Sequence, residues 1–127
     1  MLLTAKRSTF LFWRFITSYQ LPVYRDTYRL ILKVFEYTGQ FPREYKYSLG
    51  QDMKRDALQL VRSIYRANKA NDKKAHLEAF LDDFELLKLE IRLCTDMKIL
   101  SFKKQAELSV LMDSIGKQVT GWRNASQ

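Results

Sequence analysis

The stretch Leu49–Ala70, LGQDMKRDALQLVRSIYRANKA, decides the fold. Met53, Ala57, Leu60, Ile64 and Ala67 recur at alternating steps of four and three residues, which gathers them on one side of an α-helix. Arg55, Arg62, Arg66 and Lys69 recur at seven, four and three residues and fall on the opposite side. A helix is therefore predicted from near Ser48 or Leu49 to about Ala70, with a greasy side to bury and a row of cations left in water. Rigidly held cations suit a polyanion, and nucleic acid phosphate is the commonest one. The competing explanation is an ordinary solvated helix face.

The flanking sequence repeats the helical pattern. Pro22 suits a first helical position, where its missing N–H has no partner to lose. Tyr24, Tyr28, Ile31 and Phe35 mark an apolar face to about Tyr37, and Thr38-Gly39 with Pro42 end that helix. Asn71-Asp72 supplies a turn and a candidate N-cap for the next helix. That helix carries Leu77, Phe80, Phe84, Leu87, Ile91 and Cys94 on one face. Leu86, Leu89 and Leu93 lie on a neighbouring face, so it is central in its bundle or touches another subunit. These three leucines are the candidate subunit contacts. Ser101 can cap a last helix with the face Leu108, Leu111, Ile115, Val119 and Trp122. No strand pattern competes, and the loops are short. The predicted architecture is all-α: an antiparallel up-down-up-down four-helix bundle over residues 21–124, with an N-terminal extension 1–20 and a short tail 125–127.

Length and composition agree with one domain and one core: the chain has 127 residues, of which 46% are hydrophobic. The formal net charge is +8, and it is uneven. Residues 1–70 carry +8, residues 71–96 carry −3 and residues 97–127 carry +3. A basic excess of this size points to an acidic partner such as nucleic acid or an anionic membrane surface. Opposed acidic and basic blocks favour one packing arrangement or subunit contact over others. Cys94 is the single cysteine, so no intrachain disulfide forms and a reducing, cytoplasmic setting fits. No run is long enough to span a bilayer.

Residues 1–20 stand apart. The run Phe10–Ile16 is aromatic and apolar, interrupted by Arg14 and preceded by Lys6 and Arg7. This loosely resembles the charged and apolar parts of a signal peptide, but the apolar run is short and no small-residue cleavage site follows. A membrane-touching segment, an arm on a partner subunit and an upstream stretch included by the choice of start codon are the three alternatives, with the last two preferred.

Catalytic constellations are missing. Nucleophilic catalysis wants Ser or Cys beside His, and the chain has one His, His76, at the start of the third long helix. One Cys and one His do not make a zinc site. Asp82, Asp83 and Glu85 read as a solvated or interface face, and the Glu-x-x-His pairs of di-metal bundles are absent. Neither a cofactor nor a metal is nominated, and no enzyme class is indicated.

The cations extend beyond the central stripe. Arg25, Arg29 and Lys33 share a face of the first helix, while Arg43 and Lys46 lie among Phe41, Tyr45 and Tyr47 in the connection. Interleaved cations and aromatics can hold phosphates and stack bases, although tyrosines more often cover core edges.

The string LPVYRDTYRLILKVFEYTGQFPREYKYSLGQDMKRDALQLV, Leu21–Val61, resembles the four-helix-bundle family of ribosomal RNA intervening-sequence proteins. The closer likeness is to its accessory variability determinant (Avd) branch. The Leu21-Pro22-x-Tyr24 opening, Phe41-Pro42-Arg43, Leu49-Gly50 and IGKQVTGW, Ile115–Trp122, carry it. The resemblance implies a non-catalytic, basic, homopentameric ring that binds RNA and the reverse transcriptase of a diversity-generating retroelement during mutagenic cDNA synthesis. DNA or an RNA–DNA hybrid is a further candidate ligand. The alternative is an oligomeric structural bundle of the intervening-sequence branch with no reverse transcriptase partner. Arg55, Arg62, Arg66 and Lys69 are the candidate phosphate contacts, with Arg25, Arg29, Arg43 and Lys46 extending the track.

Overall fold

The computed structural model describes residues 21–126. Within them lie α1 (Pro22–Gly39), α2 (Arg43–Lys46), α3 (Leu49–Lys69), α4 (Lys74–Asp96) and α5 (Phe102–Ala125). Four are long, α2 is a single turn in the α1–α3 connection, and no strand occurs among the described residues. The expectations for Phe10–Ile16 lie outside these residues.

The long helices pack in sequence order, α1 on α3, α3 on α4 and α4 on α5, and α5 returns to α1 to close the bundle. Contacts fix the directions. Tyr37 at the end of α1 meets Glu107 at the start of α5. Asp26 at the start of α1 accepts a hydrogen bond from Gln118 near the end of α5 at 2.7 Å. Cys94 Sγ near the end of α4 lies 3.5 Å from Met53 Sδ near the start of α3. Neighbours therefore run antiparallel, as the short connections require.

Each long helix contributes a buried row to one core. Leu30 and Val34 come from α1, Met53, Leu60 and Ile64 from α3, Leu77, Phe80, Phe84 and Leu87 from α4, and Leu108, Ile115 and Val119 from α5. Phe80 and Phe84 stack with ring centroids 5.5 Å apart. Burial of each such side chain stabilises the fold by about 1.5–3 kcal/mol.

The helix ends have identifiable causes. Pro22 is the first residue of α1. Ser101 caps α5, its hydroxyl accepting from the Lys104 N–H at 3.2 Å. Gly50 is buried where α1, α2 and α3 converge: a Cβ there would lie 3.2 Å from the Tyr45 carbonyl oxygen and 3.5 Å from Thr38 Cβ. The Leu49-Gly50 pair thus lets the start of α3 approach closely. At the end of α4 the Lys98 N–H reaches the Thr95 carbonyl at 3.0 Å and the Ile99 N–H reaches Cys94 at 3.0 Å, with Lys98 at φ 63°. This is a Schellman turn made by a lysine where glycine is usual.

Two expectations are corrected. Tyr28 and Phe35 are exposed, and α1 instead buries Val23, Thr27, Leu30, Ile31, Val34, Tyr37 and Thr38. The two choices overlap at Ile31, and the contacts with α3 and α5 select the second. The residue preceding α4 is Lys73, and no side chain of the Asn71-Asp72 turn caps the helix. Lys73 acts backwards instead: its ammonium donates to the carbonyls of Ala67, Asn68 and Ala70 at 2.9, 3.1 and 3.0 Å. It thereby satisfies the free carbonyls and the negative dipole end of α3.

Candidate nucleic-acid interface

The stripe on α3 is built as its periodicity demands. Met53, Ala57, Leu60, Ile64 and Ala67 are buried, and Arg55, Arg62, Arg66 and Lys69 are all exposed on the other side. The four cations differ in what surrounds them. Arg55 is paired with carboxylates of its own helix, Nη2 3.2 Å from Asp52 and Nε 3.7 Å from Asp56. Among the described residues no carboxylate lies within 4.0 Å of Arg62, Arg66 or Lys69. The Lys69 ammonium instead stands 4.5 Å from the centre of the exposed Tyr65 ring. Uncompensated charge is therefore concentrated on the second half of α3.

Antiparallel packing brings the other cations to the ends of this stripe. Arg25, near the start of α1, is exposed at the Lys69 end of α3, and Arg43 and Lys46 on α2 sit at its Leu49 end. Arg29 is exposed but lies 3.4 Å from Asp26, and Lys33 lies 3.9 Å from Glu107 on the α5 side. The Lys46 ammonium is 5.8 Å from the centre of the Tyr47 ring. Among the described residues Arg25, Arg43, Lys46, Arg62, Arg66 and Lys69 have no carboxylate within 4.0 Å, while Arg29 and Arg55 are locally neutralised.

Apolar side chains interrupt the cations. Phe35 and Tyr28 of α1 and Leu58 and Tyr65 of α3 are exposed on the same side of the bundle. Phe35, Leu58, Lys54, Gln51 and Arg62 line a groove of about 340 Å³ between α1 and α3. Sequence reasoning passed over it because Phe35 fits a core spacing and Leu58 falls one step outside the buried row. On α4, Leu86, Leu89 and Leu93 are exposed, with Leu89 63% accessible, and Met97 continues the row. These leucines do not enter the core of the single chain.

The acidic block holds one residue the spacing did not flag. Glu90 on α4 is only 7% exposed, and its Oε1 has no hydrogen-bond partner among the described residues. Loss of hydration, then the hydrogen bond to Asp56 and the charges of Asp56 and Asp52, push its pKa up to about 8. Asp83 is raised as well, first by burial and then by Asp56 and Asp82. Asp82 and Glu85 are exposed, and Glu85 pairs with Lys88 at 3.1 Å. The only signal for Glu90 was its position seven residues from Asp83, beside the core row.

Cys94 is buried, and loss of hydration followed by Glu90 pushes its thiol up to about 11, which keeps it protonated. Among the described residues no group of three or more His, Cys, Asp or Glu could hold a metal ion. No helix among them is long and apolar enough to cross a membrane.

A family model described as bAvd-like matches residues 21–126, which covers all four long helices. No curated protein matches the chain.

Proposed function

This chain belongs to the bAvd-like family, and from that premise we propose that it is a non-catalytic accessory protein of a retroelement, binding a reverse transcriptase and its template RNA in the cytoplasm. The observation that carries this reading is the row Arg62, Arg66 and Lys69, exposed opposite the core with no carboxylate within 4.0 Å among the described residues. Phosphates displace condensed counterions when they meet such a row, so association is driven by charge and weakens steeply as salt rises. Arg25, Arg43 and Lys46 lengthen the track at both ends. Arg29 and Arg55 contribute after their carboxylate partners are exchanged for phosphate.

The protein works as a homo-oligomer, a pentamer by analogy with the Avd branch, joined through Leu86, Leu89 and Leu93. Several copies of a modest cationic track on one long RNA raise avidity without any new contact. The exposed leucines also favour a second reading, an oligomeric structural bundle with no polymerase partner, in which charge serves solubility.

The test is the double variant Arg62→Glu, Arg66→Glu. Its helical content by circular dichroism is expected to match the parent, while binding to RNA and to the reverse transcriptase is lost. Undiminished binding to both removes the stripe from the mechanism. Failure of the parent protein to be retained on immobilised RNA at low salt selects the structural reading. A reverse transcriptase gene with a template repeat beside the coding sequence is the expected genomic setting.

A further inference from the structure

Phe35 is an aromatic residue that the bundle does not use. It is 42% exposed, and α1 fills its share of the core with Leu30, Ile31, Val34 and Tyr37. Leu58 of α3, 52% exposed, lies in the same groove. The Lys54 ammonium stands 5.6 Å from the centre of the Phe35 ring, and Arg62, with no carboxylate partner among the described residues, borders the groove. Gln51 and Gln59 add amide groups, and Arg55, paired with Asp52 and Asp56, completes the lining. At about 340 Å³ the groove falls within the ~300–1,000 Å³ of small-ligand sites.

Resting on the nucleic-acid reading above, we infer that this groove is a stacking site for an unpaired nucleotide, the base against Phe35 and Leu58 and its phosphates at Lys54 and Arg62. The chemistry narrows the ligand. A duplex keeps its base faces stacked on one another and offers a protein only grooves and phosphates, for which an exposed ring has no use. A single strand presents base faces, and an aromatic ring beside a cationic track is the arrangement that receives them. Every base has a π-face, so the site selects strandedness and not sequence. The glutamine amides can meet the edge of whichever base enters. The ligand class is thus single-stranded RNA or DNA.

The full-length protein is titrated, at one fixed salt concentration, into a fluorescent single-stranded RNA and into a duplex RNA of equal length. Phe35→Leu keeps the apolar bulk and removes the π-face, Phe35→Tyr keeps the ring, and Arg62→Gln removes a cation. Phe35→Leu is expected to weaken single-strand binding about fivefold or more, leaving duplex binding and the salt slope unchanged. Phe35→Tyr is expected to bind single strands like the parent. Arg62→Gln is expected to weaken both ligands and to reduce the salt slope by about 0.7–0.9. Equal weakening of both ligands by Phe35→Leu, or no weakening of either, overturns the stacking site while leaving the electrostatic reading in place. A lower assembly mass for Phe35→Leu by light scattering also overturns it, because a second copy then occupies the groove. A parent protein that binds neither RNA removes the electrostatic reading and this inference together.

Discussion

The ammonium of Lys73 donates a hydrogen bond to the carbonyl oxygen of Ala67 at 2.9 Å, closing the end of α3 from the loop that leaves it. Two more carbonyls, of Asn68 and Ala70, share the same cation. Lys73 is next in line after the stripe Arg62, Arg66 and Lys69, yet its charge is spent on the helix terminus.

Lys73→Met separates these roles. The donor shared by three carbonyls and a favourable dipole interaction are lost, which costs about 1–2 kcal/mol. RNA affinity is expected to stay near that of the parent. Arg66→Met is expected to do the reverse, weakening RNA binding with little change in the urea midpoint. Equal loss of RNA affinity in the two variants places Lys73 on the binding face.

Glu90 is expected to make stability fall as pH rises. Its carboxyl titrates near 4.5 in the unfolded chain and near 8 in the fold. Between those values the folded chain retains a proton that the unfolded chain has released, so the unfolding free energy declines across that window and levels above it. Glu90→Gln preserves size and a hydrogen-bond donor toward Asp56 while removing the proton equilibrium. It is expected to flatten the profile and to gain about 1–2 kcal/mol at pH 8. Urea unfolding at pH 5 and pH 8 measures both effects; parallel profiles for parent and variant would remove Glu90 as the cause.

Lys98 holds a left-handed conformation, φ 63°, in the turn between α4 and α5. A side chain raises the energy of that conformation, and glycine does not. Lys98→Gly is expected to stabilise the protein by about 0.5–1 kcal/mol, read as a higher thermal midpoint. A lower midpoint would mean that the lysine side chain contributes more than its backbone strain costs.

Leu89 and Leu93 test the proposed assembly. Both are exposed in the single chain, so Leu89→Glu with Leu93→Glu leaves the core intact. The expected result is unchanged helicity and a fall in mass to the monomer by light scattering. An unaltered mass moves the subunit contact away from α4.

Local patterns were legible because they depend on near neighbours in the chain. The core row and the cation row of α3 lie on opposite sides of one helix, and spacing alone places them there. Pro22 at the start of α1 and the Ser101 cap act within one turn, and both occur where expected. The pairing of Arg55 with Asp52 was within reach of the same reasoning, since the two are three residues apart. The bAvd-like match to residues 21–126 agrees with the ordered short motifs from Leu21 to Trp122.

Helical periodicity in the sequence thus determined how many long helices form and which side of α3 carries charge. Only packing decided which of the overlapping apolar rows on α1 faces inward, turning Tyr37 into the core and Phe35 toward solvent. It also buried Glu90 beside Asp56 and made a groove from residues of two helices. The reason is physical: a lone helix can present several greasy stripes, and the surface of the helix beside it selects the one that is buried.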